Sequence, residues 1–375
     1  MLIETLPEVL TWEGGAEILA KVHTEYVLHT SATFAGALAR LHRDDHSALA
    51  HALTTFAELD KASRERFITA PEVTWRLYWP VSHIAAERCS FFAEALDAEV
   101  RRAAYLRGGT VSSRKDVWTP VGDMCFRHDG SVFEAPTIRR QLAADFASPF
   151  ARTTDTGVPG GVPTAARQPM TTASQAVALT KLRSAADRIA LSGERIWAFV
   201  ATFTKALVIQ PDPDLSGFAS GSSGQFVGRS ALWNVQSEGV DEIDVAEGFV
   251  HEAIHSVLYM QERLRPWVHK QELYGPELRI TSPWTGNLLP LRPFLQACFV
   301  WYGLTNFWLA ALRATVFQRE RVNERLSQAL CGFVKGNLLS RVDEYRQHLS
   351  PELLATVRDL QERVLAGVET LATGR

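Results

Sequence analysis

Residues 244–264, DVAEGFVHEAIHSVLYMQERL, decide how the rest of the chain is read. Asp244 and Glu247 stand at the spacing of an Asx-type capping box, which predicts that a helix begins there. Apolar residues then recur at three- and four-residue intervals, the period of an amphipathic helix. Within it, His251 and His255 lie one turn apart and project from the same face. Two imidazoles so placed can ligate one divalent ion about 2 Å from each nitrogen. Glu252 follows the first histidine and is rotated around the helix, where it can take a proton from a metal-bound water or hold a ligand in place. The spacing H-E-x-x-H therefore predicts a metal centre.

A two-histidine platform needs a further ligand, and here the sequence leaves alternatives open. A metzincin pattern puts a third histidine six residues after the second, but Gln261 occupies that position. A gluzincin pattern supplies a glutamate from downstream, where Glu272 and Glu277 are candidates and His269 is another. The surrounding HKQELYGPELRITSPW reads as loop because Gly275, Pro276 and Pro283 interrupt it. Tyr259 and Trp301 sit at spacings that allow them to line such a site.

Outward from this helix, the chain is mostly helical. Residues 14–107 carry helical periodicity. Residues 108–150 switch to turn residues and β-prone segments, so short strands are expected near 110–135 and again near 226–236. Residues 151–175 are rich in Gly, Pro, Thr and Ala and read as a linker or mobile loop. Periodicity resumes at Ala176 and runs on to about Leu207. Further long helices are expected over 290–314 and 317–347, and Ser350-Pro351 is a strong start signal for a last one. The expected organisation is an N-terminal helical lobe over 1–150, the linker, and a metal-binding catalytic region over 176–375. The fold class is mainly α with a few short strands, the H-E-x-x-H helix packing in zincin-like fashion against a strand and a long C-terminal helix.

Composition narrows the function classes. The chain has 375 residues, too many for one small core, with 46% apolar and 22% charged residues and a formal charge of −3. No basic run marks a nucleic-acid footprint. The longest apolar run is broken by Gly303, Thr305 and Asn306 and reads as a buried helix, not a membrane span. Cys89, Cys125, Cys298 and Cys331 form no C-x-x-C pair, so neither a disulfide framework nor a cysteine zinc site is expected. The N-terminal MLIETLPEVLTWEGG has acidic residues where a secretory signal carries basic ones, so the expected location is the cytoplasm.

Three further stretches carry a resemblance: GFASGSSGQFVGRSALWN (217–234), AEGFVHEAIHSVLY (246–259) and SPWTGNLLPLRPFLQACFVWYGLTNFW (282–308). Together they resemble the H-E-x-x-H-motif peptide-modification family, which includes iron(II), 2-oxoglutarate-dependent peptide β-hydroxylases. RERFITAPEVTWRLYWP, near the N-terminus, is similar to that family's helical segment. The resemblance covers about two thirds of the chain and is tightest over 218–308. It implies that His251 and His255 hold the metal with Glu252 as acidic partner. It matches Ser282-Pro283-Trp284 to a small-Pro-Trp stretch, Leu295-Gln296 to the start of a long helix, and Phe307-Trp308 to a Phe-Trp pair. On this basis Gln296 faces the metal and joins Glu272 and Glu277 as a possible third ligand, and Trp284 joins Tyr259 and Trp301 as a substrate contact. The chain departs from the family at Thr285, where an arginine is usual, and at Leu289-Pro290, where Arg-Pro is usual. Arg292 and Arg229 are the arginines that can replace them as the fork for a 2-oxoglutarate carboxylate.

The resemblance implies an oxygenase that uses Fe(II), O₂ and 2-oxoglutarate to hydroxylate an amino-acid side chain on a peptide, carrier-bound or small substrate. The bare motif points instead to a zinc metallopeptidase of zincin type, with Glu252 as general base. A non-catalytic helical binding protein is a third, weaker reading. A peptide or amino-acid partner is expected, and neither nucleic acid nor membrane.

Overall fold

Helical periodicity is realised over most of the chain, and the strands are few and short. The computed structural model describes residues 3–42, 54–78, 85–152, 169–268 and 278–373. The fold is mainly α with small sheets, as expected. Two compact units form, each from noncontiguous segments. One comprises Met1–His23, Asp187–Val200 and Phe249–Arg375, the other Thr24–Ala186 and Ala201–Gly248. The helix Glu242–Leu264 belongs to both: its first residues lie in the second unit and the remainder in the first. Most of the expected linker, residues 153–168, lies outside the described residues.

The first unit is organised around the helix Leu291–Ala314, whose residues Leu291, Phe294, Leu295, Cys298, Phe299 and Leu304 are all buried. By length and composition this helix could cross a membrane. However, 72% of its apolar window is buried inside the protein, so its hydrophobicity serves the core. Thr315 ends it in the left-handed conformation. The expected helix over 317–347 divides into Arg319–Val334 and a 3-10 segment, Leu339–His348. Gly336, with φ +119°, stands between them, in a conformation that side-chain-bearing residues rarely adopt. The last helix, Pro351–Thr373, starts as predicted, with Leu353 N donating to Ser350 Oγ at 3.1 Å. Gly303 is where the central helix meets its neighbours most closely. A Cβ there would lie 2.6 Å from Ile254 Cδ1, and its carbonyl accepts the indole N–H of Trp12 at 3.1 Å.

The second unit pairs a helical core with two sheets. Phe34, Phe67 and Phe92, from the helices Ala16–His42, Lys61–Thr69 and Ala85–Leu106, meet edge to face with centroids 5.3 Å apart in each pair with Phe34. Val117–Trp118, Met124–Phe126 and Val132–Glu134 form an antiparallel meander. A second sheet has five strands in the order Thr137–Ile138, Leu142–Asp145, Ala206–Gln210, Arg229–Trp233, Ala219–Ser222. Its inner pairings are parallel and its outer ones antiparallel. Ala206–Gln210 and Arg229–Trp233 are buried throughout, as parallel strands covered on both faces should be.

Ala206–Gln210 corrects the expectation that one helical stretch runs from Ala176 to Leu207. Gly193 instead divides the region into the helices Thr172–Ser192 and Glu194–Phe203, and the chain then turns into the sheet. ALVIQ is a five-residue apolar run, too short for periodicity to separate a buried strand from a buried helix.

Candidate metal centre

The helix that carries the motif begins one turn earlier than the Asp244/Glu247 spacing implied. Asp241 Oδ1 accepts from Ile243 N at 3.1 Å and Asp244 N at 3.2 Å, while Asp244 Oδ2 accepts from Asp241 N at 3.2 Å. This reciprocal arrangement is a capping box on Asp241 and Asp244. Two overlapping acidic pairs have the same spacing, and the earlier one forms. At the same end the helix packs on the strand Arg229–Trp233. Gly248 approaches so closely that a Cβ would lie 3.3 Å from Leu232 and 2.8 Å from Phe218.

The apolar face of the helix, including Phe249, Val250, Ala253, Ile254, Val257 and Leu258, is buried. That packing fixes the rotation of the histidine face. His251 and His255 stand with ring centroids 4.9 Å apart at 50°. Burial pulls both imidazoles down to about 4. For His255, repulsion from His251 and Arg292 adds to that effect, while Glu252 and Gln296 oppose it. Both rings are therefore neutral at pH 7, the form that donates a lone pair to a metal. The Glu252 carboxylate is 2% exposed, with Oε1 4.0 Å from His251 Nε2.

The second wall is the start of the helix Leu291–Ala314. Gln296 is buried and places Oε1 3.0 Å from His255 Nδ1. With the amide oxygen turned to the ring, Nδ1 donates the hydrogen and Nε2 keeps the lone pair. This is how a ligating histidine is held from behind in metal sites. Gln296, a possible third ligand by resemblance, thus has its oxygen engaged behind His255. Tyr259 stacks on His255 at 5.8 Å, and the guanidinium of Arg292 lies 5.2 Å over the Tyr259 ring. Arg292 pairs with the carboxylate of Glu262. Residues 255, 259 and 262 of one helix thus face residues 292 and 296 of the other along one polar seam.

The remaining sequence candidates make contacts within their own units or lie outside the described residues. Glu272 and Glu277, together with His269, fall in the undescribed segment 269–277. Among the described residues, no group of three His, Cys, Asp or Glu side chains gathers in a way that could hold an ion. Arg229 is buried in the sheet-bearing unit, where it meets Glu72 at 3.2 Å and donates to the Phe150 carbonyl at 2.6 Å. Trp284 is a core residue: its Nε1 donates to Ala329 O at 2.9 Å, and its ring fills the space that Gly332 leaves open. Trp301 stacks on it at 6.0 Å. Trp284 also meets Phe333 edge to face at 5.2 Å, while Trp301 is half-buried.

Glu262 and Asp241 were not visible as functional positions in the motif. The spacing 255-259-262 contains the signal for Glu262, since those residues lie on one helical face. The described residues offer a metal two neutral imidazole donors, one of them anchored from behind, beside a buried carboxylate. No known protein family and no curated protein matches the chain.

Proposed function

We propose that this protein is a metal-dependent enzyme acting on an amino-acid or peptide substrate, with His251 and His255 as ligands and Glu252 as the adjacent acid–base group. The observation that carries this reading is the contact of His255 Nδ1 with Gln296 Oε1 at 3.0 Å. A neutral imidazole anchored at Nδ1 by a buried amide presents its Nε2 for a metal.

Within that class we assign the protein as a hydroxylase dependent on iron(II) and 2-oxoglutarate, on the strength of the resemblance across 218–308. The bound metal would supply O₂ activation coupled to oxidation of the co-substrate. The chain's own residues do the rest. His251 and His255 present neutral nitrogens, Gln296 orients one of them, and the packed helix face excludes water from behind the rings. Arg292, over Tyr259 and acting on His255, is our candidate cation for a co-substrate carboxylate. We place the enzyme in the cytoplasm, a proposal that rests on its four unpaired cysteines.

A zinc peptidase is the second reading. The buried Glu252 carboxylate close to His251 favours it, because a hydrolase needs a proton acceptor there. Anaerobic reconstitution with iron(II), followed by spectroscopic titration with 2-oxoglutarate, separates the two. The oxygenase gives a weak charge-transfer band that requires both 2-oxoglutarate and His255 and is lost in His255→Ala. Absence of the band, with one tightly held zinc per chain, assigns the protein to the peptidase class.

A further inference from the structure

Residues 3–12 reach the helices of the metal centre, all within the first unit. Ile3, Leu6, Val9 and Leu10 are buried, and their segment packs on the helices Leu291–Ala314 and Pro351–Thr373. It leads to Trp12, whose backbone is left-handed, with φ +66°. A bulky side chain rarely occupies that region and stays there only where its surroundings hold it. Here they do. The indole is 7% exposed, meets Phe199 edge to face at 5.1 Å, and donates from Nε1 to the Gly303 carbonyl at 3.1 Å. Gly303 lies inside the helix Leu291–Ala314, where its carbonyl already has a donor one turn on. The indole bond is additional, so its effect is to fix position, not to satisfy a stranded acceptor.

Gly303 is also where three side chains converge. A Cβ at this position would stand 2.6 Å from Ile254 Cδ1, 3.4 Å from Leu10 Cδ2 and 3.5 Å from Trp12 Cζ2. Ile254 is fully buried and immediately precedes His255 in the helix Glu242–Leu264. Leu10 and Trp12 therefore close the space in which Ile254 is seated. Side chains packed this closely leave a helix little freedom to turn or slide. We infer that Trp12 is a positioning residue of the metal centre, which through Gly303 and Ile254 fixes the rotation of the helix that carries His251 and His255. The left-handed backbone at position 12 aims the indole at Gly303. The inference rests on the proposed function for the metal, but its effect on the helix is measurable without one.

Two variants of the full-length chain test this. Trp12→Phe keeps a ring against Phe199 and removes the N–H. Trp12→Gly removes the whole side chain, while glycine takes the left-handed backbone readily and preserves the path of the segment. Amide hydrogen exchange is followed by mass spectrometry over residues 249–258 of the metal-free protein, and cobalt(II) affinity and visible spectrum are measured in parallel. In Trp12→Gly we expect faster exchange over 249–258, with 319–334 protected as in wild type. Cobalt should bind roughly tenfold or more weakly, as when a group behind a metal ligand is lost, and with altered bands. Trp12→Phe should change in the same direction by less. A residue that only stabilises the fold would lower the urea midpoint and leave cobalt affinity and spectrum of the folded protein as they were. That result in Trp12→Gly, or in Trp12→Phe should the glycine variant not fold, overturns the inference. A wild type that binds no cobalt contradicts the proposed function instead, and exchange alone then decides. Faster local exchange over 249–258 supports the positioning role, and an unchanged rate overturns it.

Discussion

Gly332→Ala tests whether Trp284 is a packing residue or a substrate contact. A Cβ at position 332 would lie 2.2 Å from Trp284 Cε2 and 2.4 Å from Cδ2 and Nε1. Ordinary contact begins at about 3.4 Å, so the indole must retreat by more than 1 Å. It has little room, because it is 4% exposed, stacked on Trp301 and edge-on to Phe333. Overpacking of this kind costs about 1–3 kcal/mol. Pulling Nε1 off the Ala329 carbonyl strands a buried donor and costs about 1–3 kcal/mol more. Against this, alanine is favoured over glycine within a helix by about 1 kcal/mol. The net expectation is a loss of about 1–5 kcal/mol, centred near 3. Urea unfolding followed by tryptophan fluorescence measures it, with near-ultraviolet circular dichroism reporting the displaced indole pair. A variant within about 0.5 kcal/mol of wild type, or more stable, would refute the packing argument and return Trp284 to the list of accessible side chains.

Two other outcomes follow from buried charge. Glu72 is 4% exposed and lies between Arg76 at 2.8 Å and Arg229 at 3.2 Å, so Glu72→Gln should cost about 3 kcal/mol in a denaturant titration. A loss below about 1 kcal/mol would show that Arg229 is not held by that pair. The second outcome concerns pH. Burial lowers His251 and His255 from 6.5 to about 4, so protonation opposes metal binding only as pH falls toward 4, not from 6.5 downward. The apparent Kd for zinc should therefore change less than about twofold between pH 7 and 5.5, where two ordinary histidines would weaken it roughly 70-fold. An ordinary histidine profile in a chelator-buffered titration would contradict the lowered pKa of this pair.

The helical character of the chain and its decisive helix were legible because amphipathic periodicity and end signals are local. The start at Ser350-Pro351 and the helix 291–314 are of this kind. The helix carrying His251 and His255 was also legible, although its cap was read one turn late because Asp241/Asp244 and Asp244/Glu247 have the same spacing. The strand Ala206–Gln210 was not legible, since a short apolar run takes its identity from neighbours far away in sequence. The same holds for the two units. Each draws on noncontiguous segments, those of the first unit as far apart as Met1–His23 and Phe249–Arg375, and composition changes at 151–175 do not report such contacts. At the site, the two histidines could be read from their spacing alone. The contact of Gln296 with His255 needed the second helix, and so did the pairing of Glu262 with Arg292. The packing of Trp284 on Gly332 was not legible either, since it joins positions 48 residues apart that no local pattern relates.

The central claim is that His251 and His255 form one metal site, and titration of the metal-free protein with cobalt(II) tests it most directly. The account predicts one cobalt per chain, with visible absorption that is lost in His251→Ala and in His255→Ala while both variants remain folded by circular dichroism. A wild type that takes up no cobalt, or a double variant that binds it as tightly as wild type, would contradict it.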